Sequence, residues 1–300
     1  MKSFKLFVMA ALAVFACTGF AQAQNTSTVG QIKAFIVTGA VQLTDKNGKD
    51  TPLSRGDTIA VGSTIKTGAD GIVLLVFSNG SAMQIKANSN VQVSRYDQAA
   101  FDEQGGQNTF LRLSKDPSKS TTNMSITKGT LAGQVKNLNI DGGSKFVVDT
   151  PAGSAGIRGT IPTFTVNTDP VTGLPTSVTV GCSEGQVDFT VAQIRNIPSN
   201  LQGGTVNIAA GGQVIVNIQT DAATGNVTSI SVAGTTYTGT DAQAVINNLY
   251  QAINEVRVAN GDQPVTPPTA AAGNAPPTNN GTTTAPNKAT PVPTNPTLSS

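Results

Sequence analysis

The sequence predicts an all-β fold, a sandwich of short strands, from two observations. Between Gln31 and Val232 apolar and polar residues mostly alternate, which is the period of a strand with one buried face. Turn signals that contain Gly, Asn or Asp interrupt this pattern about every six to ten residues, as in proteins built from short antiparallel strands. We therefore expect a β domain over residues 24–238, and the chain shows convincing helical spacing only after it.

Two stretches of the β region carry more specific information. Residues Ile72 to Phe77 are apolar on both faces, and Asn79-Gly80 supplies a tight turn before the next strand, so this hairpin is expected at the centre of the core. Farther along, Pro162 removes a backbone donor. Its strand is therefore expected to lie at a sheet edge or to contain a bulge.

Residues 239–261 are expected to form one amphipathic helix. Thr240 or Asp241 can cap its beginning and Gly261 can end it. The apolar residues at helical spacing are Ala244, Val245, Leu249, Ala252, Ile253 and Val256. Such a stripe usually packs on its own domain, here over a sheet edge or one end of the β core. A docking surface for a partner helix is the alternative.

Residues 262–300 are predicted to form a disordered tail rich in Pro and Thr. They hold nine of the sixteen prolines and scarcely any large apolar side chain, so burial cannot offset the entropy of ordering them. Proline favours extended conformations, so the tail is expected to act as a spacer or stalk. A dispensable tail is the alternative, and either way truncation at Asp262 is expected to leave the melting temperature nearly unchanged.

Residues 1–23 have the pattern of a secretory signal peptide. Lys2 and Lys5 precede an almost uninterrupted apolar stretch, and Ala21-Gln22-Ala23 forms a small-x-small cleavage site. Cleavage there leaves Gln24 as the first residue of a periplasmic or extracellular protein. Lipidation of Cys17 is the alternative. No other run is long and apolar enough for a membrane span.

The composition excludes several classes of function. The chain has no histidine, so it cannot build a Ser-His-Asp triad, a Cys-His pair or a His metal ligand. Without the two leader lysines, 17 basic residues balance 17 acidic ones, which argues against nucleic-acid binding. The sequence therefore predicts a protein that is not an enzyme and has no cofactor.

The remaining reactive side chains favour structural roles. Cys182 alternates with Val178 and Val180 on one face of a predicted strand, which favours burial over a reactive thiol. Asp102 and Glu103 precede a glycine pair and could hold calcium together with Asp97. They lack the spacing of a calcium loop, so a solvated loop tip is the preferred interpretation and no metal site is predicted.

An ordered set of motifs resembles the FecR domain, a periplasmic module named after a ferric-citrate signalling regulator. The motifs lie between Gly30 and Val216: Pro52 to Asp57, Gly62 to Ser81, Lys128 to Leu131, Phe146 to Pro151, Gly156 to Thr160, Val178 to Val180, Glu184 to Val187 and Ala210 to Val216. The resemblance implies an all-β, partly solenoid-like fold, which agrees with the turn spacing. The predicted fold class is thus a twisted, partly solenoid-like β-sandwich of short strands.

The resemblance also implies a role in interaction or sensing. FecR-type regulators usually join a cytoplasmic anti-sigma segment, one membrane span and this periplasmic domain, which relays the state of an outer-membrane transporter. This sequence looks like a stand-alone exported FecR-domain protein without the first two parts. The expected partner is an envelope protein or a cell-wall polymer, bound through sheet edges and loops. A structural envelope protein on a Pro/Thr stalk is the alternative.

Five family-motif residues are singled out as candidates for a site, and a structural role is preferred for them: Thr150, Pro151, Arg158, Gly159 and Thr160. Glycine permits backbone geometries that a Cβ forbids, and the Arg158 guanidinium offers five donors in a planar fork. We expect that fork to bond buried backbone carbonyls where strands change direction. Recognition of a ligand carboxylate by Arg158 is the alternative.

Overall fold

The computed structural model describes residues 27–28, 30–102, 107–192, 204–224, 227–236 and 239–270. The signal peptide predicted over residues 1–23 lies outside these ranges. The strands are β1 (Ser27–Thr28), β2 (Ile32–Thr38), β3 (Val41–Thr44), β4 (Asp50–Pro52), β5 (Thr64–Thr67), β6 (Ile72–Phe77), β7 (Ala82–Ile85), β8 (Asn90–Gln98), β9 (Phe101–Asp102), β10 (Ser120–Gln134), β11 (Lys145–Thr150), β12 (Gly153–Ile157), β13 (Ile161–Thr168), β14 (Pro175–Glu184), β15 (Gln186–Val191), β16 (Thr205–Ala209), β17 (Gly212–Thr220) and β18 (Val227–Thr236). A 3₁₀ helix spans Gln107–Arg112, and helix α1 spans Gly239–Ala259.

The strands form two packed layers that share β10, which confirms the predicted β-sandwich. The front sheet has the order β2-β6-β7-β10-β13-β14-β17-β18, and the back sheet has the order β4-β3-β5-β8-β10-β11-β12-β15-β16. Only β10 and β11 pair in parallel among the named strands. Inward-facing side chains of both sheets form one continuous apolar core.

Strand β10 turns the corner between the sheets at Gly129. Residues up to Lys128 pair with β8 in the back sheet, and residues from Gly129 onward pair with β13 in the front sheet. Gly129 has φ of 86°, in the left-handed region that favours glycine. A Cβ there would lie 2.5 Å from the Cα of Ser89, so the backbones can approach only without a side chain.

The hairpin of β6 and β7 lies at the centre, as predicted. Val73 to Phe77 are fully buried, and the hairpin closes through a 2.9 Å hydrogen bond from the Phe77 N–H to the Ser81 carbonyl. One face of β6 contributes Val73, Leu75 and Phe77 to the core between the sheets. The other face contributes Leu74 and Val76 to a second apolar cluster, which explains why the strand is apolar on both sides.

Helix α1 covers the outer face of the front sheet. Its side chains Ile246, Leu249, Ile253 and Val256 pack in the second cluster with Leu74 and Val76. Docking on the chain's own domain is therefore confirmed. The expected position over a sheet edge or the end of the core is wrong, because the apolar outer face of β6 offers a larger surface to cover. No helix in the described ranges is long and apolar enough to cross a membrane.

The beginning of the predicted tail lies along α1. The side-chain amide of Asn254 both donates to the Val265 carbonyl at 2.9 Å and accepts from the Val265 N–H at 2.8 Å. The Gln243 side chain bonds residues Pro268 and Ala270 in the same way. Residues 262–270 thus pack on the folded part, so its boundary is not at Asp262 as predicted. Residues 271–300 lie outside the described ranges.

A chain ended after Gly261 is expected to be less stable than one ended after Ala270. The difference should be about 1 to 2 kcal/mol, because several hydrogen bonds and the ion pair of Arg112 with Asp262 are lost. Urea unfolding of the two truncated chains measures it. Equal midpoints would show that residues 262–270 contribute no stability.

A ring of buried hydrogen bonds sits beside the central hairpin. The Asn79 N–H donates to the Tyr96 hydroxyl at 3.1 Å, and that hydroxyl donates to the side-chain oxygen of Gln98 at 2.9 Å. Asp116 accepts from the Gln98 amide and from the Ser120 hydroxyl, and Ser120 accepts in turn from Asn79. The buried polar side chains of this ring are therefore paired with one another.

Candidate functional site

The five motif residues lie at opposite ends of the β11–β12 hairpin. Thr150 and Pro151 form the turn between the two strands, since Thr150 pairs with Gly153. Arg158, Gly159 and Thr160 follow the far end of β12 and lead into β13. The two groups are separated by the length of a five-residue strand, on the order of 16 Å, so the structure does not join them in one site.

The turn at Thr150 and Pro151 has a structural arrangement. The Thr150 hydroxyl donates to the Gly153 carbonyl at 2.8 Å and accepts from the Ala152 N–H at 3.2 Å. A Cβ on Gly153 would lie 3.0 Å from the Cα of Val191, in the neighbouring strand. These contacts hold the turn between β11 and β12, and the structural role of this motif stays a prediction.

Arg158 does not make the contacts expected of it. Its side chain is exposed, and within the described ranges its guanidinium has no hydrogen bond or ion pair. It lies at the rim of a groove of about 260 Å³ that Leu138, Phe146 and Ile157 also line. The structure therefore contradicts the expectation that Arg158 bonds buried carbonyls, because its exposed side chain makes no such bond.

Replacement of Arg158 by Leu is accordingly expected to change the free energy of unfolding by less than about 0.5 kcal/mol, as at most exposed positions. Urea unfolding of the wild type and of Arg158→Leu tests this. A loss of 1 kcal/mol or more, on the order expected when a buried acceptor loses its partner, would restore the original expectation.

Gly159 and Thr160 form one wall of a small polar cavity. Gly159 has φ of 58°, and a Cβ on it would overlap the side-chain oxygen of Asn137. Thr160 is 2% exposed, and its carbonyl accepts the Val135 N–H at 2.9 Å. Its buried hydroxyl has no hydrogen-bond partner. The cavity has a volume of about 140 Å³ and is lined by Ser114, Gln134, Val135, Lys136, Asn137, Gly159, Thr160, Ile161 and Glu184.

Lys136 supplies positive charge to this cavity. Its side chain is half-buried, and its ammonium makes no ion pair or hydrogen bond within the part of the chain that the structure describes. Burial and the nearby Arg257 lower the pKa of Lys136, while Glu184 raises it. The ammonium is thus a donor without a partner, partly withdrawn from water.

Helix α1 lies next to the cavity and contacts one of its lining residues. The side-chain amide of Gln134 donates to the Tyr250 hydroxyl at 2.7 Å, which ties a cavity residue to the helix. Burial and the charge of Glu184 raise the pKa of Tyr250. Arg257 is fixed by a 3.2 Å bond to the Leu111 carbonyl. The donors around the cavity are therefore held by packed elements and not by a loose loop.

The size and chemistry of the cavity limit what it can hold. Pockets for small-molecule ligands usually have about 300 to 1,000 Å³, and a water molecule takes up about 30 Å³. A cavity of this volume fits one side chain or one chain end. The Lys136 ammonium, the Thr160 hydroxyl and the neighbouring amides can donate hydrogen bonds, while Glu184 adds a negative charge to the same lining, so the group that fits best is an acceptor, a carbonyl or a carboxylate that meets Lys136.

Replacement of Thr160 by Val is expected to leave stability unchanged or raise it by up to about 1 kcal/mol. The substitution keeps the shape of the side chain and removes a buried hydroxyl that has no partner. Urea unfolding gives the difference. A clear loss of stability would show that the hydroxyl is bonded in the free protein.

The structure does not bring the other sequence candidates together among the described residues. Cys182 is fully buried, and burial raises the pKa of its thiol to about 12, which confirms a structural cysteine. Asp97 forms an exposed ion pair with Arg95, Asp102 lies on β9, and Glu103 is outside the described ranges. No group of three metal-ligating side chains occurs among the described residues.

Sequence reasoning identified Gly159 and Thr160 but missed Lys136. A lone lysine in a polar segment gives no sign of burial, because the residues that share its cavity, near 160 and 184, are distant in the sequence. The sequence offered one signal, Gly159, because glycine is favoured where the backbone turns sharply close to another segment. In the structure Gly159 indeed has a positive φ.

The comparison with known families places the cavity wall inside a matched region of the chain. Residues 63–188 match the family model described as FecR protein, so this part of the chain is a FecR domain. The match covers β5 to the beginning of β15 and includes the cavity wall at Gly159 and Thr160. The family resemblance seen in the sequence is thus confirmed over these residues.

Two solved structures are similar over part of the chain, and both are titled as a "putative anti-sigma factor" from Parabacteroides distasonis ATCC 8503, at 1.65 and 2.50 Å resolution. They are 14% and 13% identical in sequence, with a TM-score of 0.37 for each. Each match covers 61% of this chain and 62% of the other. No curated protein matches the chain.

Proposed function

We propose that this protein is a non-enzymatic FecR-domain module that acts in the periplasm or outside the cell and senses or binds an envelope protein or polymer. The observation that carries the proposal is the donor-lined cavity in the matched domain, which is sized for a single group of a macromolecular partner. The signal-peptide pattern of residues 1–23 supports the exported location.

The mode of binding follows from the cavity. Lys136 and the Thr160 hydroxyl lack partners in the free protein, so a carboxylate or carbonyl of the partner can satisfy both. Leaving the buried Thr160 hydroxyl unpaired costs about 1 to 3 kcal/mol, which an acceptor from the partner recovers. The groups around it are already in position, so little ordering entropy opposes binding.

Capture from envelope extracts tests the proposal. The mature protein, immobilised, is mixed with soluble periplasm and with purified cell wall from the same cells. We expect recovery of one stoichiometric component, with the amount strongly reduced for Lys136→Ala. The matched control is Lys128→Ala, which removes an exposed lysine from the same strand region.

Two results would contradict the proposal. Equal capture by Lys136→Ala and Lys128→Ala would show that the cavity is not part of the binding surface. Sedimentation of the protein with cell wall, with no reduction in either variant, would favour a structural envelope protein instead.

A further inference from the structure

The front sheet contains the same hairpin twice. Residues 166–180 read V-N-T-D-P-V-T-G-L-P-T-S-V-T-V, and residues 218–232 read I-Q-T-D-A-A-T-G-N-V-T-S-I-S-V. Asp169 thus corresponds to Asp221, 52 residues later. The first copy is the β13–β14 hairpin, and the second is β17–β18, which lies beyond the FecR match.

The two copies share their detailed structure. Asp169 accepts the backbone N–H groups two and three residues later, and Asp221 does the same. These bonds hold the pKa of both carboxyls below the ordinary value. The register shifts after Asn167 in one hairpin and after Gln219 in the other, at corresponding positions. The two hairpins are therefore similar in structure as well as in amino-acid sequence.

Successive hairpins of the chain alternate between the back and front sheets, in a solenoid-like manner. Hairpins β11–β12 and β15–β16 lie in the back sheet, while β13–β14 and β17–β18 lie in the front sheet. Each front hairpin adds to the one before it, because the outer edge of β14 pairs with β17 over six residue pairs. Strand β18 is the counterpart of β14, and it is the last strand of the sheet.

The outer edge of β18 has no strand beside it within the described ranges. At the other end of the front sheet, the edge of β2 is bonded to the loop before β5, for example from the Ala34 N–H to the Asp57 carbonyl at 2.9 Å. The edge strand β4 of the back sheet is only three residues long and contains a charge and a proline. Such features normally prevent pairing between molecules. The ten residues of β18 include neither a charged residue nor a proline.

We propose that two copies of this chain pair through their β18 edges, antiparallel about a two-fold axis, so that the two front sheets become one. An isologous contact needs a surface that fits itself, and an uncharged strand meets its own copy without repulsion. Antiparallel pairing is also how β14 receives β17 at the corresponding edge.

Residues 271–300 are less suited to pair with the β18 edge than a second copy of the chain. Residues 271–300 follow Ala270, whose N–H donates to the side chain of Gln243 in the first turns of α1. Their longest stretch without proline is residues 278–285, which contains Asn279-Asn280-Gly281, a turn signal. That segment is shorter than the ten-residue strand β18 and is interrupted by a turn, so it cannot pair along the whole edge.

Light scattering after size-exclusion chromatography tests the pairing on the full mature chain over a wide concentration range. We expect a mass of two chains for the wild type and of one chain for Ser231→Lys, whose exposed side chain lies on β18. The matched control is Asn167→Lys. Asn167, Ser177, Asn217 and Ser231 form one row across four neighbouring strands. The control therefore adds the same charge three strands from the edge, about 14 Å away, and is expected to remain a dimer.

A wild type that stays monomeric at every concentration would overturn the proposal, as would a Ser231→Lys dimer as strong as the control. If the full chain is a monomer and a chain ended after Ala270 is a dimer, the edge is covered by residues 271–300, which also overturns it. Thermal unfolding of Ser231→Lys shows whether loss of the dimer comes from loss of the fold. None of these results depends on the cavity at Lys136.

Discussion

Replacement of Phe77 by Ala is expected to lower the free energy of unfolding by about 3 to 5 kcal/mol. Phe77 lies on β6 in the front sheet and is fully buried. Its ring makes edge-to-face contacts with Tyr96 and Phe146 of the back sheet, at centroid distances of 5.3 and 5.8 Å. The substitution removes the main aromatic contact between the two layers and leaves a cavity that close-packed neighbours cannot fill.

The conservative variant Phe77→Leu separates size from aromatic contact. It keeps most of the buried volume, so we expect a loss below about 1.5 kcal/mol. Urea unfolding of both variants gives the values. If Phe77→Ala cost no more than Phe77→Leu, the two sheets would not depend on this residue for their packing.

Replacement of Gly129 by Ala is expected to cost about 3 kcal/mol or more. A left-handed conformation costs a residue with a Cβ roughly 1 to 2 kcal/mol, and here the Cβ also meets the backbone of Ser89. The corner of β10 cannot move away, because its residues pair with β8 on one side and β13 on the other. The substitution therefore strains the strand that joins the two sheets.

Gly48→Ala is the control for this prediction. Gly48 has a similar φ of 82°, but nothing lies within 4 Å of the position that its Cβ would take. We expect it to cost only about 1 kcal/mol, the conformational part alone. Equal destabilisation by the two substitutions, measured by urea unfolding, would show that β10 does not need a close approach at Gly129.

The fold class could be predicted from the sequence because strand alternation, apolar runs and turn residues each show within a short stretch of residues. A strand buried on both faces shows as the continuous apolar run from Ile72 to Phe77, and a bulge was one of the two outcomes expected for Pro162. The register shift next to Pro162 confirms the bulge, and β13 is an interior strand. The helix was found, but its buried stripe includes Ala242 and Ile246, while Ala244 is exposed. Which face docks depends on the sheet beneath it, which the helix sequence does not contain.

Long-range features were not predictable in the same way. Nothing near Gly129 shows that β10 serves two sheets, and nothing near Lys136 shows that the Thr160 turn lines the same cavity. Arg158 was expected to bond buried carbonyls because its planar fork of donors suits them, yet its side chain at the end of a hairpin is exposed. The duplicated hairpin, in contrast, was visible in the sequence as T-D-x-x-T-G-x-x-T-S, and a search for internal repeats would have found it.

Site-specific photo-crosslinking in cells tests the cavity as the point of contact with a partner. A photoreactive residue replaces Asn137, which is exposed and lines the cavity, or Val171, which is 92% exposed on the loop at the other end of β13. We predict one discrete adduct from position 137 that disappears when Lys136→Ala is added, and no such adduct from position 171. No adduct at 137, or the same adducts from both positions, would contradict a FecR-domain module that binds its partner through this cavity.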